Sequence, residues 1–216
     1  ETYLADASDV ENVALAHGNK IAALIFEQMK DKYRETPTDY QVRQVRAFRM
    51  LKPQHFSISN VAKRSHIKQP VTPLSDTRSY VFFGSQKSPY SQHKFHSDAE
   101  RRFAALIDSE FQRDVQRWLK PGAGQFGIEY RSGKSYEPDF VVETDREKLI
   151  IEVKMEKELS DQTVLEKSRA ACEWVRHANS LATGEDSKSW GYAIVPDTAI
   201  NHSATLSGLL AAHRKT

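Results

Sequence analysis

The sequence predicts a mixed α/β protein of the α+β kind, built as a mixed sheet flanked by helices. Three observations predict it. A capping signature opens an apolar helical face after Ser97, three strand-like runs divided by turn residues follow, and a second helical period with a further strand completes the series. Residues 1–96 read as a helical and basic extension that contacts a polyanion, and residues 97–216 as the domain that holds the chemistry.

Ser97-Asp98-Ala99-Glu100 has the form of a capping box, and Phe103, Leu106, Ile107, Phe111, Val115 and Trp118 continue one helical face until Pro121-Gly122. The strand-like runs are Phe126 to Tyr130, Tyr136 to Val142 and Lys148 to Lys154. Turn-like residues at Arg131-Ser132-Gly133-Lys134 and from Glu143 to Glu147 make hairpins the economical connection. A second helix is expected from Thr163 to Leu181, then a strand from Trp190 to Val195 and a C-terminal helix from Leu206 to His213. The predicted order is helix, three strands, helix, strand, helix.

Upstream, Val10, Val13, Ile21, Leu24 and Met29 fit a helix, or a helical hairpin broken near Gly18. Arg43, Arg46 and Arg49 repeat every third residue opposite Val42, Val45, Phe48 and Leu51, which predicts a basic-striped helix ended by Pro53. From Gln54 to His96 the pattern is irregular, with short strands expected at Phe56 to Ser59 and Tyr80 to Phe83, as a basic connecting region packed on the next domain.

The composition excludes several classes. At 216 residues and 28% charged, with no apolar run near the ~18 residues of a membrane span, the chain has no transmembrane helix in its pattern. It carries no secretory signal, and the lone Cys172 allows neither an internal disulfide nor a thiolate zinc site, which points to the cytoplasm. It opens at Glu1 and reads as a piece of a longer protein.

The net charge of +2 conceals an asymmetry: residues 41–97 hold ten Lys and Arg against the single acid Asp76. Such a window is a surface for phosphates. Arg43, Arg46, Arg49, Lys63 and Arg64 are its expected DNA contacts.

The chemistry is concentrated in two strands. Asp139 follows Pro138 ahead of Phe140-Val141-Val142, and the third run reads Leu149-Ile150-Ile151-Glu152-Val153-Lys154. Strand alternation puts Glu152 and Lys154 on one face and Ile151 and Val153 on the other. In an antiparallel hairpin Asp139 would lie opposite the end that carries Glu152. Two carboxylates make a hard oxygen site suited to Mg²⁺ with substrate phosphate, and a lysine beside them neutralises charge developing on phosphorus.

Tyr136-Glu137-Pro138-Asp139 followed by Glu152-Val153-Lys154 resembles the signature of the PD-(D/E)xK nuclease superfamily, whose restriction-endonuclease-like core has the order helix, three strands, helix, strand. Over nearly its whole length the chain is also similar to the C-terminal region of the Res subunit of Type III restriction enzymes. Asp39-Tyr40-Gln41-Val42, Leu51-Lys52-Pro53, Lys94 to Ala104, Trp118-Leu119-Lys120-Pro121, Tyr136 to Val142 and Trp190 to Pro196 carry that similarity. The resemblance implies a Mg²⁺-dependent DNA endonuclease, with Mn²⁺ able to substitute, in which Asp139 and Glu152 bind metal and Lys154 is the catalytic lysine. It implies a further acid on the first helix, matched by Glu100, which the capping pattern also explains. Its partners would be double-stranded DNA, upstream ATP-driven motor domains, and a methyltransferase subunit that reads the target.

Other signals are weaker. Gly127 to Ser135 approximates a P-loop, but five residues separate Gly127 from Gly133 and the segment runs strand, turn, strand, so no nucleotide is expected there. His93 and His96 lack partners at zinc spacing and are expected at the surface or on phosphate. Cys172 is expected to pack as a small buried residue, Lys167 on the second helix to be a surface lysine, and Tyr80, Phe82, Phe83 and Tyr90 to pack in the core. Two functions compete: a cleaving nuclease, and a non-catalytic DNA clamp that keeps the nuclease fold.

Overall fold

A computed structural model of the chain describes residues 7–30, 50–57, 63–131, 133–181 and 188–216. Arg43, Arg46 and Arg49 lie outside the described residues, as does half of the expected strand from Phe56 to Ser59; Phe56 and Ser57 are not in a strand. The chain divides into two compact units, the first ending at Arg43, and each is considered by itself. No helix among the described residues is long and apolar enough to cross a membrane.

In the first unit, α1 (Ala7–Lys30) is one 24-residue helix. It runs through Gly18, so of the two expected forms the unbroken helix is the one observed. A helical glycine costs roughly 1 kcal/mol relative to alanine, too little to interrupt a helix of this length.

The second unit is a mixed α and β structure centred on a five-stranded sheet of order β10-β9-β8-β7-β4. Its elements are β4 (Val115–Leu119), β7 (Phe140–Thr144), β8 (Glu147–Lys154), β9 (Ser189–Pro196) and β10 (Arg214–Lys215), with helices α2 (Asp98–Ile107), α3 (Gln162–Leu181) and α4 (Leu206–His213). β7 pairs antiparallel with β4 and β8, the β7–β8 pair through a short turn, whereas β8 and β9 are parallel because the long α3 crossover joins them. The central strand β8 serves two cores. Leu149, Ile151 and Val153 join Phe103, Ala104 and Ile107 of α2 and Leu206 and Leu209 of α4. Ile150, on the other face, meets Tyr192, Ile194 and Ala171 of α3. Burial on both faces explains why the strand reads as a continuous apolar run before Glu152.

Three expectations are corrected. The first helix stops at Ile107, and Val115 to Leu119 form β4 instead of its last turns. The three-residue step between Val115 and Trp118 mimics a helical period, but a register irregularity between Val115 and Arg117 lets both residues be buried from a strand. Phe111, counted in the same face, is 85% exposed. The run from Phe126 to Tyr130 does not enter the main sheet: β5 (Ile128–Arg131) and β6 (Lys134–Tyr136) form a separate hairpin packed against α3. The expected strand from Tyr136 to Val142 is two strands, interrupted at Glu137-Pro138-Asp139 because proline has no N–H for a ladder. The strand and helix order through the main sheet is therefore α2, β4, β7, β8, α3, β9.

Residues 63–96 are built into the same core. Strands β1 (Arg64–His66), β2 (Val81–Phe83) and β3 (Gln92–His93) form a three-stranded sheet, and Ile67, Val71, Phe82 and Phe95 pack with Phe103 and Phe140. The Asp98-Arg101-Arg102 motif ties the parts together. Asp98 accepts from Nε of both arginines at 2.8 and 3.1 Å, Arg101 Nη1 donates to the Ile67 carbonyl at 2.8 Å, and Arg102 donates to the carbonyls of Ile200 and Asp197.

Asp108, at the end of α2, is 4% exposed and accepts from Trp118 Nε1 at 2.8 Å and from the backbone N–H groups of Gln86 and Lys87 at 3.0 and 2.9 Å. Removing an acceptor shared by several donors leaves them unsatisfied. Asp108→Ala is therefore expected to destabilise the protein by about 3 kcal/mol. Urea unfolding checks this, and a loss under about 1 kcal/mol would show that water or a neighbour replaces the carboxylate.

Candidate functional site

The strand pairing brings the sequence-predicted residues together. In the β7–β8 ladder Phe140 faces Ile151, so Asp139, one residue before β7, stands opposite Glu152, one residue further along β8. Pro138 ends the preceding segment and frees the Asp139 side chain from the regular sheet. Its Oδ2 accepts from the Val153 backbone N–H at 2.9 Å and from Lys154 Nζ at 3.0 Å. Lys154 Nζ also lies 2.9 Å from Glu152 Oε2. Thus one ammonium joins both carboxylates.

The environment is largely dry. Side-chain exposure is 13% for Asp139, 4% for Glu152 and 22% for Lys154. Burial, then the Asp139 charge, pushes the Glu152 carboxyl up to about 8, against the opposing pull of Lys154. Burial alone would favour neutral Lys154, but Asp139 and Glu152 outweigh it and hold the ammonium above its ordinary value. Lys154 therefore stays charged at neutral pH. Glu152 Oε1 is buried and has no hydrogen-bond partner among the described residues. Buried polar atoms of this kind are uncommon, and an acceptor with a second carboxylate nearby suits a hard cation completed by water or phosphate oxygens. Among the described residues no group of three or more His, Cys, Asp and Glu side chains gathers as a ready-made metal cage.

Phenols from two elements, Tyr136 and Tyr192, lie near Glu152. Burial first, and the Glu152 charge second, hold the phenols of Tyr136 and Tyr192 above their usual range, so both remain protonated. Tyr136 Oη donates to the Lys167 carbonyl at 3.2 Å. The Lys167 ammonium lies over the Tyr130 and Tyr136 rings at 5.3 and 5.2 Å, a cation–π position and not a simple solvated one.

Glu100 belongs to a separate pair. The Ser97 side chain caps α2 by accepting from the Glu100 backbone N–H at 3.2 Å, as the sequence pattern predicts. The Glu100 carboxylate meets Lys120 Nζ at 2.8 Å, the His96 backbone N–H at 3.2 Å and His96 Nδ1 at 3.7 Å. Burial alone would raise its pKa, yet the bonds from His96 and Lys120 hold it down near 2. Glu100 is thus a buried carboxylate with committed partners. Lys120 and Asp139 nevertheless line one cleft of about 580 Å³, so the two pairs border the same space.

Lys120 was not predicted as a site residue. Its place at the end of β4 was concealed by the helical reading of Val115 and Trp118. Lys63 and Arg64 are exposed, near the Tyr80 and Phe83 rings at 5.9 and 5.3 Å. His93 differs from expectation: it is 1% exposed, lies 4.6 Å from the Trp118 ring, and is pushed down to about 4 chiefly by burial. His96 is exposed. Phe82 is in the core, Tyr80 packs beside it, and Phe83 is 38% exposed. Cys172 is half-buried beside the second core. Gly127 to Ser135 lies in and around the β5–β6 hairpin, with Gly133 at φ +67°.

No family model matches the chain, and no curated protein matches it.

The raised Glu152 carboxyl has a definite sign in stability. Between about 4.5 and about 8 the folded state binds the proton that the unfolded state has released, so metal-free stability falls as pH rises through that window. Glu152→Gln should flatten this slope, and its stability relative to the wild type should improve towards the alkaline end. Urea midpoints measured in EDTA across the window test it. Parallel slopes for both proteins would mean that Glu152 titrates normally.

Proposed function

We propose that the chain is a metal-dependent endodeoxyribonuclease domain with a restriction-endonuclease-like core, of the PD-(D/E)xK type found in Type III restriction enzymes. The observation that carries this reading is the convergence of Asp139, Glu152 and Lys154, joined at 3.0 and 2.9 Å, at one end of a mixed sheet. The element order α2, β4, β7, β8, α3, β9 supports the core assignment. The sequence resemblance supplies the enzyme class.

The residues fit a divalent cation. Asp139 and Glu152 would hold Mg²⁺ or Mn²⁺, Glu152 through the oxygen that lacks a partner among the described residues. When bound, the metal supplies Lewis-acid polarisation of the phosphodiester and activation of water. The remaining work belongs to the side chains. Lys154 stays protonated beside the reacting phosphate and stabilises negative charge as the P–O bond breaks and water replaces the leaving oxygen. The Val153 N–H fixes the Asp139 carboxylate, so it needs little reorganisation during the reaction. The buried sheet end limits competing water and strengthens these interactions. Glu100, whose carboxylate accepts from Lys120 Nζ and the His96 N–H, orients the neighbouring cleft wall.

The substrate is double-stranded DNA, with Arg43, Arg46, Arg49, Lys63 and Arg64 as phosphate contacts. In the intact system, ATP-driven motor domains and a methyltransferase subunit supply movement and target recognition, in the cytoplasm. Phosphate contacts give affinity without sequence information. A second reading, a DNA clamp without catalysis, draws on Lys154 already pairing both carboxylates.

The discriminating experiment is digestion of supercoiled plasmids with Mg²⁺, Mn²⁺ or EDTA. Metal-dependent cleavage is expected, and Asp139→Ala, Glu152→Ala and Lys154→Ala should each lower its rate by several orders of magnitude while remaining folded by circular dichroism. Near-normal cutting by Glu152→Ala would remove the site assignment; metal-indifferent binding without cutting would favour the clamp. On unrelated plasmids the isolated chain should cut weakly, at dispersed positions and without response to ATP. Mapping the ends checks this, since one reproducible site or ATP stimulation contradicts it.

A further inference from the structure

The cleft beside Asp139 is built from segments far apart in the chain. It is lined by residues 52–56, by His93, Lys94 and His96, by the loop from Lys120, and by Glu137-Pro138-Asp139. The first segment is fastened across the others. The Lys52 carbonyl accepts from Tyr90 Oη and from Gln125 Nε2, and Gln54 Nε2 donates to the Lys120 carbonyl at 3.3 Å. The Gly124 N–H in turn donates to Glu137 Oε1 at 2.7 Å, linking the loop to the segment that presents Asp139.

The charges in this cleft are unevenly compensated. Lys120 is paired with Glu100, and Asp139 with Lys154. Among the described residues the Lys52 ammonium has one hydrogen bond, to the Gly124 carbonyl at 3.3 Å, Lys94 has no carboxylate partner, and Glu137, also on the cleft wall, has no ammonium partner. Two ammonium groups against the single Glu137 carboxylate leave a positive excess in a preformed cleft that ends at a candidate hydrolytic centre, and such an excess attracts a polyanion.

Resting on the nuclease reading, we propose that this cleft receives the phosphodiester backbone of the DNA strand to be cut, with Lys52 and Lys94 as its phosphate contacts. These lysines are distinct from the basic stripe around Arg46 and from Lys63 and Arg64. They contact the strand where it approaches Asp139, and their role is electrostatic, without base reading.

The test is fluorescence anisotropy with a labelled DNA duplex of arbitrary sequence, in EDTA so that binding is separated from cutting, over a series of salt concentrations. The Lys52→Gln/Lys94→Gln double variant should lose about tenfold in affinity, and the slope of log affinity against log salt should become shallower by nearly two. Lys94→Arg should keep the slope. Arg169→Gln/Arg176→Gln, on an exposed part of α3, should change neither quantity. An unchanged slope in the lysine variant, an equal loss in the α3 variant, a Lys94→Arg loss as large as Lys94→Gln, or no binding by the wild type overturns the proposal. Wild-type cleavage with unaltered binding by the lysine variant removes the cleft assignment and leaves the nuclease. Lysine-dependent binding by a wild type that never cuts removes the nuclease and leaves the cleft.

Discussion

Lys154 holds together two carboxylates that would otherwise repel one another in a poorly solvated place. Withdrawing charges from water is costly, and mutual attraction offsets that cost only when the geometry is good and other hydrogen bonds complete the pairing. Here the Val153 N–H contributes one such bond to Asp139. The compensation is partial: Glu152 retains an oxygen without a partner among the described residues and a raised proton affinity. An arrangement of this kind is a weak source of stability and a strong source of chemical potential for a cation or a phosphate.

That geometry depends on parts of the fold remote from the charges. Asp139 stands opposite Glu152 only in the observed β7–β8 register; a one-residue slip would turn Glu152 towards the core of α2 and Ile151 towards the α3 face. The register is enforced by apolar residues on both faces of β8. Asp98, Arg101 and Arg102 then attach α2 to the Ile67 carbonyl on one side and the turn after β9 on the other. Asp108 anchors the loop at Gln86 and Lys87 to Trp118 of β4. Residues 63–96 are consequently part of the scaffold around the cleft.

Two buried acid–base systems border the cleft with different chemical character. In the Glu100 pair, hydrogen bonds from Lys120 and His96 overcome burial and keep the carboxyl ionised. At Glu152, burial and a neighbouring carboxylate prevail over one shared lysine. The first system has its acceptors occupied and suits orientation; the second has an acceptor to spare and suits ligand binding. This contrast follows from partner number, since both glutamates are largely removed from water.

The sequence by itself determined the chemical set and its local spacing. Alternation along Ile151-Glu152-Val153-Lys154 was enough to put Glu152 and Lys154 on one face, and the Ser97 cap, the Thr163 to Leu181 period and the Leu206 to His213 helix were legible because they rest on contacts within a few residues. Tertiary structure decided what spacing left ambiguous. Val115 and Trp118 satisfy a helical period, yet a bulged strand buries both. Phe126 to Tyr130 has strand character, but the choice between the central sheet and a hairpin on α3 depends on distant partners. His93 reads as polar, but Trp118 and Phe95 enclose it. The pairing of Glu100 with Lys120, twenty residues away, and the fastening of Lys52 to Gln125 arise only when separate segments meet, because local sequence specifies which groups a strand or helix presents and long-range packing specifies what they face.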